Sequence, residues 1–165
     1  MLAIHDLTHE HFELVARWLA KPEINRWLTA EWRNPALSAT LIAIAVRNRK
    51  NRLFLVRCDS EPCGLVALAN INAPDNTAAV WYVLGEQTLS GRGIISEAVI
   101  QIDASLLWQD GARVYLCLDY GRQRSFPSSI AKSRVSRGWP NPSRGFFCGR
   151  QVDRIYFDLI ASEVC

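Results

Sequence analysis

The run from Ala78 to Tyr120 constrains this chain most. It holds an apolar segment, "AAVWYVLG", then a loop, a segment of helical period, and a second alternating segment, "ARVYLCLDY". Strand, loop, helix and strand in that order require a sheet with a helix laid across it. Ile95, Ala98, Val99, Ile102 and Leu106 mark the helix's apolar face, and Gly111 closes it. The loop and helix start read "LSGRGIISEAV", Leu89 to Val99, with two glycines around an arginine.

A helix that begins near Gly93 leaves its first backbone N–H groups without partners, directed outward. Gly91 and Gly93 let the main chain bend and lie close to a ligand, Arg92 adds positive charge, and the helix dipole favours an anion at the same place. The stretch therefore reads as a pyrophosphate cradle, or more plainly as an ordinary helix start. A dinucleotide fingerprint G-x-G-x-x-G requires glycine where Ser96 stands, and no G-K-[ST] of a Walker A loop occurs.

Elsewhere the period changes twice. Phe12, Leu14, Val15, Trp18 and Leu19 recur at helical spacing, with Thr8 as the expected cap and Pro22 as the stop. "PEINRWL" predicts a short second helix with Pro22 in its first turn, and residues 37–49 a third. His5, His9 and His11 crowd what reads as that first turn, as surface residues. After residue 51, "LFLVRC", "CGLVALANI" and "AAVWYVLG" are separated by turn chemistry at 59–62 and 73–76, which predicts three antiparallel strands. "DRIYFDLI" predicts a last strand. The expected architecture is one α/β (α+β) domain over residues 1–165, a mixed and mainly antiparallel sheet flanked by helices, consistent with 165 residues.

Composition narrows the function classes. A net charge of +3 and a pI near 8.7 suit an anionic ligand without marking a nucleic-acid binder. No apolar run of about 18 residues and no cleavable leader are seen, so a cytoplasmic, membrane-free protein is expected. Five scattered cysteines argue against a disulfide framework, and Cys58 and Cys63 lack the companions of a zinc site. No metal is expected.

"LTHEHFELVARWLAKPEINRWL", "SGRGIISEAV" and "DRIYFDLI", in this strand order, resemble the GCN5-related N-acetyltransferases. The likeness is strongest to the branch that modifies ribosomal-protein N-termini, amino sugars and aminoglycosides, and covers residues 1–120 and 150–162. The resemblance implies acetyl-CoA as co-substrate, bound by Ser90, Gly91, Arg92, Gly93, Ile94, Ile95 and Ser96. Ser90 stands where the family has a long polar residue, and Ile95 where it has a small one. It also implies that the strands "AVWYVL" and "VYLCLD" splay so that pantetheine bonds between them, with Val83 and Leu84 as expected contacts.

Amide formation from a thioester needs a neutral amine, a polarised carbonyl and a proton for the departing thiolate. Glu86 is the candidate proton acceptor, and equally a solvated turn residue. Tyr120 is the candidate proton donor, and Asp119 could hold a cationic amine. Trp18, Trp27, Leu28 and Trp32 could wall the acceptor pocket or simply be core, and only one of Trp81 and Tyr82 can face the cleft.

Residues 120–152 depart from the family pattern. Residues 121–152 carry seven basic side chains and no acidic one, with Phe126 and Trp139 among them. The reading is an acetyl-CoA-dependent N-acetyltransferase acting on a primary amine of a small molecule or a protein N-terminus. Two others stand beside it: a weakly catalytic acyl-CoA-binding protein of the same fold, and, well below, a basic nucleic-acid-binding module. A sheet edge could also pair in a homodimer.

Overall fold

The computed structural model describes residues 1–26, 28, 32–72, 77–106, 113–119, 136–137, 144–147 and 150–159. Side chains are described for 1–26, 28, 32–71, 78–99, 101 and 102. Strands β1 (Leu2–Asp6), β2 (Arg52–Cys58), β3 (Glu61–Asn72), β4 (Thr77–Leu84), β5 (Arg113–Asp119), β6 (Ser136–Arg137), β7 (Arg144–Phe147) and β8 (Arg150–Leu159) join in the order β1-β2-β3-β4-β5-β8-β6, with β7 also paired to β8. Among the described pairings only β4–β5 is parallel. Its crossover is helix α4 (Ile94–Leu106), since parallel neighbours need a long connection. The expected mixed, mainly antiparallel sheet flanked by helices is what forms.

The sheet is covered on both faces because its central strands are apolar at both parities. Phe54, Val56, Val66, Leu68 and Val80 meet Ile94, Ile95, Ala98, Val99 and Ile102 of α4 on one face. Leu53, Leu55, Leu65, Ala67 and Val83 meet the other helices on the opposite face. Those helices are α1 (Phe12–Ala20), the single turn α2 (Pro22–Asn25) and α3 (Ala39–Arg47), which the Ser38 hydroxyl caps by accepting from the Leu41 amide. Buried Asn25 ties the turn after α1, its Nδ2 donating to the carbonyls of Leu19 at 2.9 Å and Asn34 at 3.1 Å.

Several expectations need correction. The N-terminal residues form a strand rather than leading into the helix, so His5 lies in β1, paired with Leu55. Thr8 makes no capping bond; a 3-10 turn at His9–His11 comes between it and α1, and its hydroxyl lies 3.3 Å from His11 Nδ1 instead. The second helix is shorter than "PEINRWL", ending at Asn25.

The turn expected over 59–62 is confined to Asp59 and Ser60, since Glu61 and Pro62 already belong to β3; both turn residues have positive φ, the geometry that matches strand twist in a two-residue hairpin. Inside the basic segment, β6 pairs with β8 at Asp158 and Phe157, and β7 pairs with β8 from Asp153 to Arg150. The rest of that segment, and Gly111, lie outside the described residues.

Candidate active site

The parallel pair β4–β5 is joined over only three residue pairs, Thr77↔Arg113, Ala78↔Val114 and Ala79↔Tyr115. Beyond Ala79 the two strands go separate ways. β4 stays on β3 as far as Leu84, while β5 continues on β8 to Asp119. A gap therefore opens at the carboxyl ends of a parallel pair, the place where open α/β sheets take ligands.

Which main-chain groups line the gap follows from alternation. The Gly85 amide donates to the Cys63 carbonyl at 2.9 Å, so Gly85 and Cys63 form a mutually facing pair, and so, two residues back, do Val83 and Leu65. The Val83 carbonyl accordingly points at β3, 2.8 Å from where a Cβ on Gly64 would stand. Tyr82 and Leu84 present their N–H and C=O to the gap. Of the two residues expected to line it, Leu84 does so with its main chain; Val83 is turned to β3. The Leu84 carbonyl accepts from Gln87 Nε2 at 3.2 Å, an exposed contact that a ligand can displace.

At the mouth of the gap sit Ser90, Gly91, Arg92 and Gly93, all exposed. Gly91 and Gly93 have φ of 81° and 73°, and nothing lies within 4 Å of a Cβ built on either. The Gly93 carbonyl accepts the first bond of α4, from the Glu97 amide at 3.0 Å. The N–H groups of Ile94, Ile95 and Ser96 have no acceptor among the described residues. The side chain of Ile95 does not crowd this cradle. It is buried, with its Cδ1 beneath the sheet only 2.6 Å from a Gly64 Cβ position. Arg92 brings positive charge to the loop, and its field is among the smaller effects that hold the Asp59 carboxyl below its ordinary range; the larger is the hydrogen bond from the amino group of Met1.

The gap's other wall comes from the α1–α3 layer. Trp18, buried in α1, lies flat over Gly85, where an added Cβ would stand 2.2 Å from the ring. Its Nε1 donates to Oε1 of the exposed Glu86 at 3.1 Å, and Lys21 Nζ donates to the Gly85 carbonyl at 3.1 Å. Glu86 thus stands at the end of β4 with a fixed partner. Two residues the sequence suggested for the acceptor side, Trp32 and Trp81, are brought together, ring centroids 4.9 Å apart and tilted by 55°. Tyr82 faces the α4 side, and burial raises its phenol pKa, so it keeps its proton. Trp27 and Tyr120 lie outside the described residues. Asp119 is the last residue of β5, in register with Arg154.

Sequence reasoning did not find the Trp18–Glu86 bond or Lys21. No local pattern signals a contact between residues 68 positions apart.

A mixed sheet parted at its parallel pair, with a glycine-rich helix start at the opening, is the fold of an N-acetyltransferase. Residues 2–114 match the acetyltransferase (GNAT) domain family, and the chain belongs to it. No curated protein matches the sequence. Among solved structures, one described as a "Probable acetyltransferase" superposes with a TM-score of 0.78 at 20% identity, covering 98% of this chain and 94% of that one. The spermidine N-acetyltransferase of Vibrio cholerae in complex with CoA and spermine has a TM-score of 0.75 at 16% identity, covering 99% and 97%. A dodecameric form of the same Vibrio cholerae enzyme has 0.72 at 16%, covering 98% and 95%. At such identities these neighbours speak for the fold.

Proposed function

We propose that this protein moves the acetyl group of acetyl-CoA to a primary amine of a small molecule or a protein N-terminus. The parting of β4 from β5 beyond Ala79, with unbonded helix donors at its mouth, is the observation that carries this reading. The CoA diphosphate rests on the amides from Arg92 to Ser96 with Arg92 as counter-charge, flanked by Ser90 and Gly91. Pantetheine pairs as an added strand with the main-chain groups that Tyr82 and Leu84 turn to the gap.

Holding two reactants in one cleft supplies a large share of such a rate, so modest acid–base groups suffice. Glu86 takes the amine's proton, directly or through one water, while Trp18 fixes the carboxylate. Tyr120, next after β5, is the candidate donor to the departing thiolate, and Asp119 the candidate anchor for a cationic amine. Trp27, Trp32 and Trp81 are assigned to the acceptor side.

The test is calorimetric titration with acetyl-CoA, followed by an assay of thiol release across a panel of amines. The panel holds a peptide, an amino sugar, an aminoglycoside and, because the Vibrio cholerae neighbours are named for spermidine, a polyamine. Binding with release on at least one amine is expected. Binding without release on any amine points to an acyl-CoA-binding protein, and absence of binding ends the proposal.

A further inference from the structure

The Trp32–Trp81 pair carries more than packing. Trp32 is 6% exposed, and among the described residues neither buried indole Nε1, that of Trp32 or that of Trp81, has a hydrogen-bond partner. Buried tryptophans ordinarily find an acceptor, and leaving a buried donor unmet is destabilising. Two such donors on adjoining rings stand out from the rest of this core, where Trp18 has Glu86. Plain packing has no need of either nitrogen.

Position adds a direction. Trp81 lies on β4 past Ala79, in the half that has left β5, and its side chain is on the same face as Val83 and Gly85. Gly85 is four positions further along the chain, about 13 Å along the backbone.

Resting on the acetyltransferase reading above, we infer that Trp32 and Trp81 are the donors that select the acceptor. They favour amines that also bear hydrogen-bond-accepting oxygens, as peptides with their carbonyls or sugars with their hydroxyls do. An indole N–H only donates. A polyamine, whose protonated nitrogens also only donate, leaves both indoles unmet. Because neither nitrogen reaches solvent, the oxygen enters by parting the pair, and half-buried Trp81 is the ring with room to move.

The experiment is an amide and indole nitrogen–proton correlation spectrum of the ¹⁵N-labelled wild-type protein. It is titrated separately with CoA, a tripeptide amide, an aminoglycoside and spermidine; the Trp32→Phe and Trp81→Phe variants assign the two indole signals. The expected result is a downfield shift of both signals with the tripeptide amide or the aminoglycoside and none with spermidine, the responding arm telling carbonyl from hydroxyl. In thiol-release assays each Phe variant raises KM for the responding amine about 3- to 10-fold, one hydrogen bond's worth, with KM for acetyl-CoA unchanged.

Equal indole response to spermidine, or no indole response to any amine, overturns the inference. The amides of Ile94 to Ser96 report separately on CoA, so a silent loop with responsive indoles counts against the acetyltransferase reading alone. The wild-type titration stands whether or not a variant folds.

Discussion

Trp18 Nε1 donates to Glu86 Oε1 at 3.1 Å, and the same indole covers Gly85, so α1 holds the end of β4 by one bond and one flat contact. The ring is 2% exposed, while the carboxylate it holds is at the surface. A buried anchor for an exposed acid separates the structural contact of Glu86 from the proton transfer proposed for it, and so lets the two be tested apart.

Glu86→Gln keeps an oxygen for the Trp18 donor and removes the base. We expect a melting temperature within about 2 °C of wild type, since less than 1 kcal/mol of stability is involved. Affinity for acetyl-CoA should be intact and kcat should fall about 100-fold, the usual scale of one general base. Steady-state kinetics with thermal denaturation decide it. An unchanged kcat in a folded variant removes Glu86 from the chemistry and leaves it a structural contact.

Gly85→Ala attacks the flat contact. The new carbon would stand 2.2 Å from the Trp18 ring, and that ring sits in a close-packed layer with Leu19, Ile42 and Leu65. Overpacking of this kind costs about 2–3 kcal/mol, or roughly 5–10 °C in melting temperature for a chain of this size. A Gly85→Ala protein as stable as wild type would mean the ring can withdraw at no cost.

What the sequence disclosed depended on period. α1, the meander β2 to β4, α4, β5 and β8 each repeat an apolar pattern over several residues, so their kinds and approximate bounds were readable. β1 was not read, although Leu2 and Ile4 alternate, because two pattern residues beside His5 and Asp6 are too few to outweigh a helix reading. The glycine loop was legible because positive φ demands glycine at Gly91 and Gly93. The direction of the Ile95 side chain was not, since only the sheet beneath it, with Gly64 leaving room, sets that. The Trp32–Trp81 contact likewise depends on tertiary packing: each tryptophan alone reads as core.

Gly91→Ala and Gly93→Ala strain the loop without filling it. Nothing lies within 4 Å of either added carbon, so the cost is that of the left-handed backbone, about 1 kcal/mol each. Relief of that strain turns the amides at the start of α4. We expect stability to fall by that small amount and the acetyl-CoA dissociation constant to rise several-fold. Gly93→Asn should recover part of the loss, because asparagine tolerates this region better than alanine. Calorimetric titration of the three variants checks the order, and equal affinities throughout would place the diphosphate elsewhere.

Cys63 supplies the pH prediction. Its side chain is buried in the sheet, its Sγ donates to the Val56 carbonyl at 3.4 Å, and burial pushes its pKa from the ordinary 9.0 up to about 11. Below pH 9 the thiol is protonated in both folded and unfolded chains, so its contribution is fully present. As pH rises from about 9 to about 11 the unfolded chain gives up this proton before the folded one does, and stability falls across that window. Tyr82, raised in the same direction by burial, adds to the fall from its ordinary value of 10.0 upward. Urea denaturation at pH 8 and pH 10.5 should therefore show a loss of stability that Cys63→Ala reduces and that persists in part through Tyr82. Iodoacetamide with peptide mapping at pH 8 gives an independent readout, with half-exposed Cys58 alkylated in the native protein and Cys63 only after unfolding. Native-state labelling of Cys63 at a rate matching Cys58 would show that the end of β4, which hangs on the Cys63 carbonyl, opens far more readily than its packing implies.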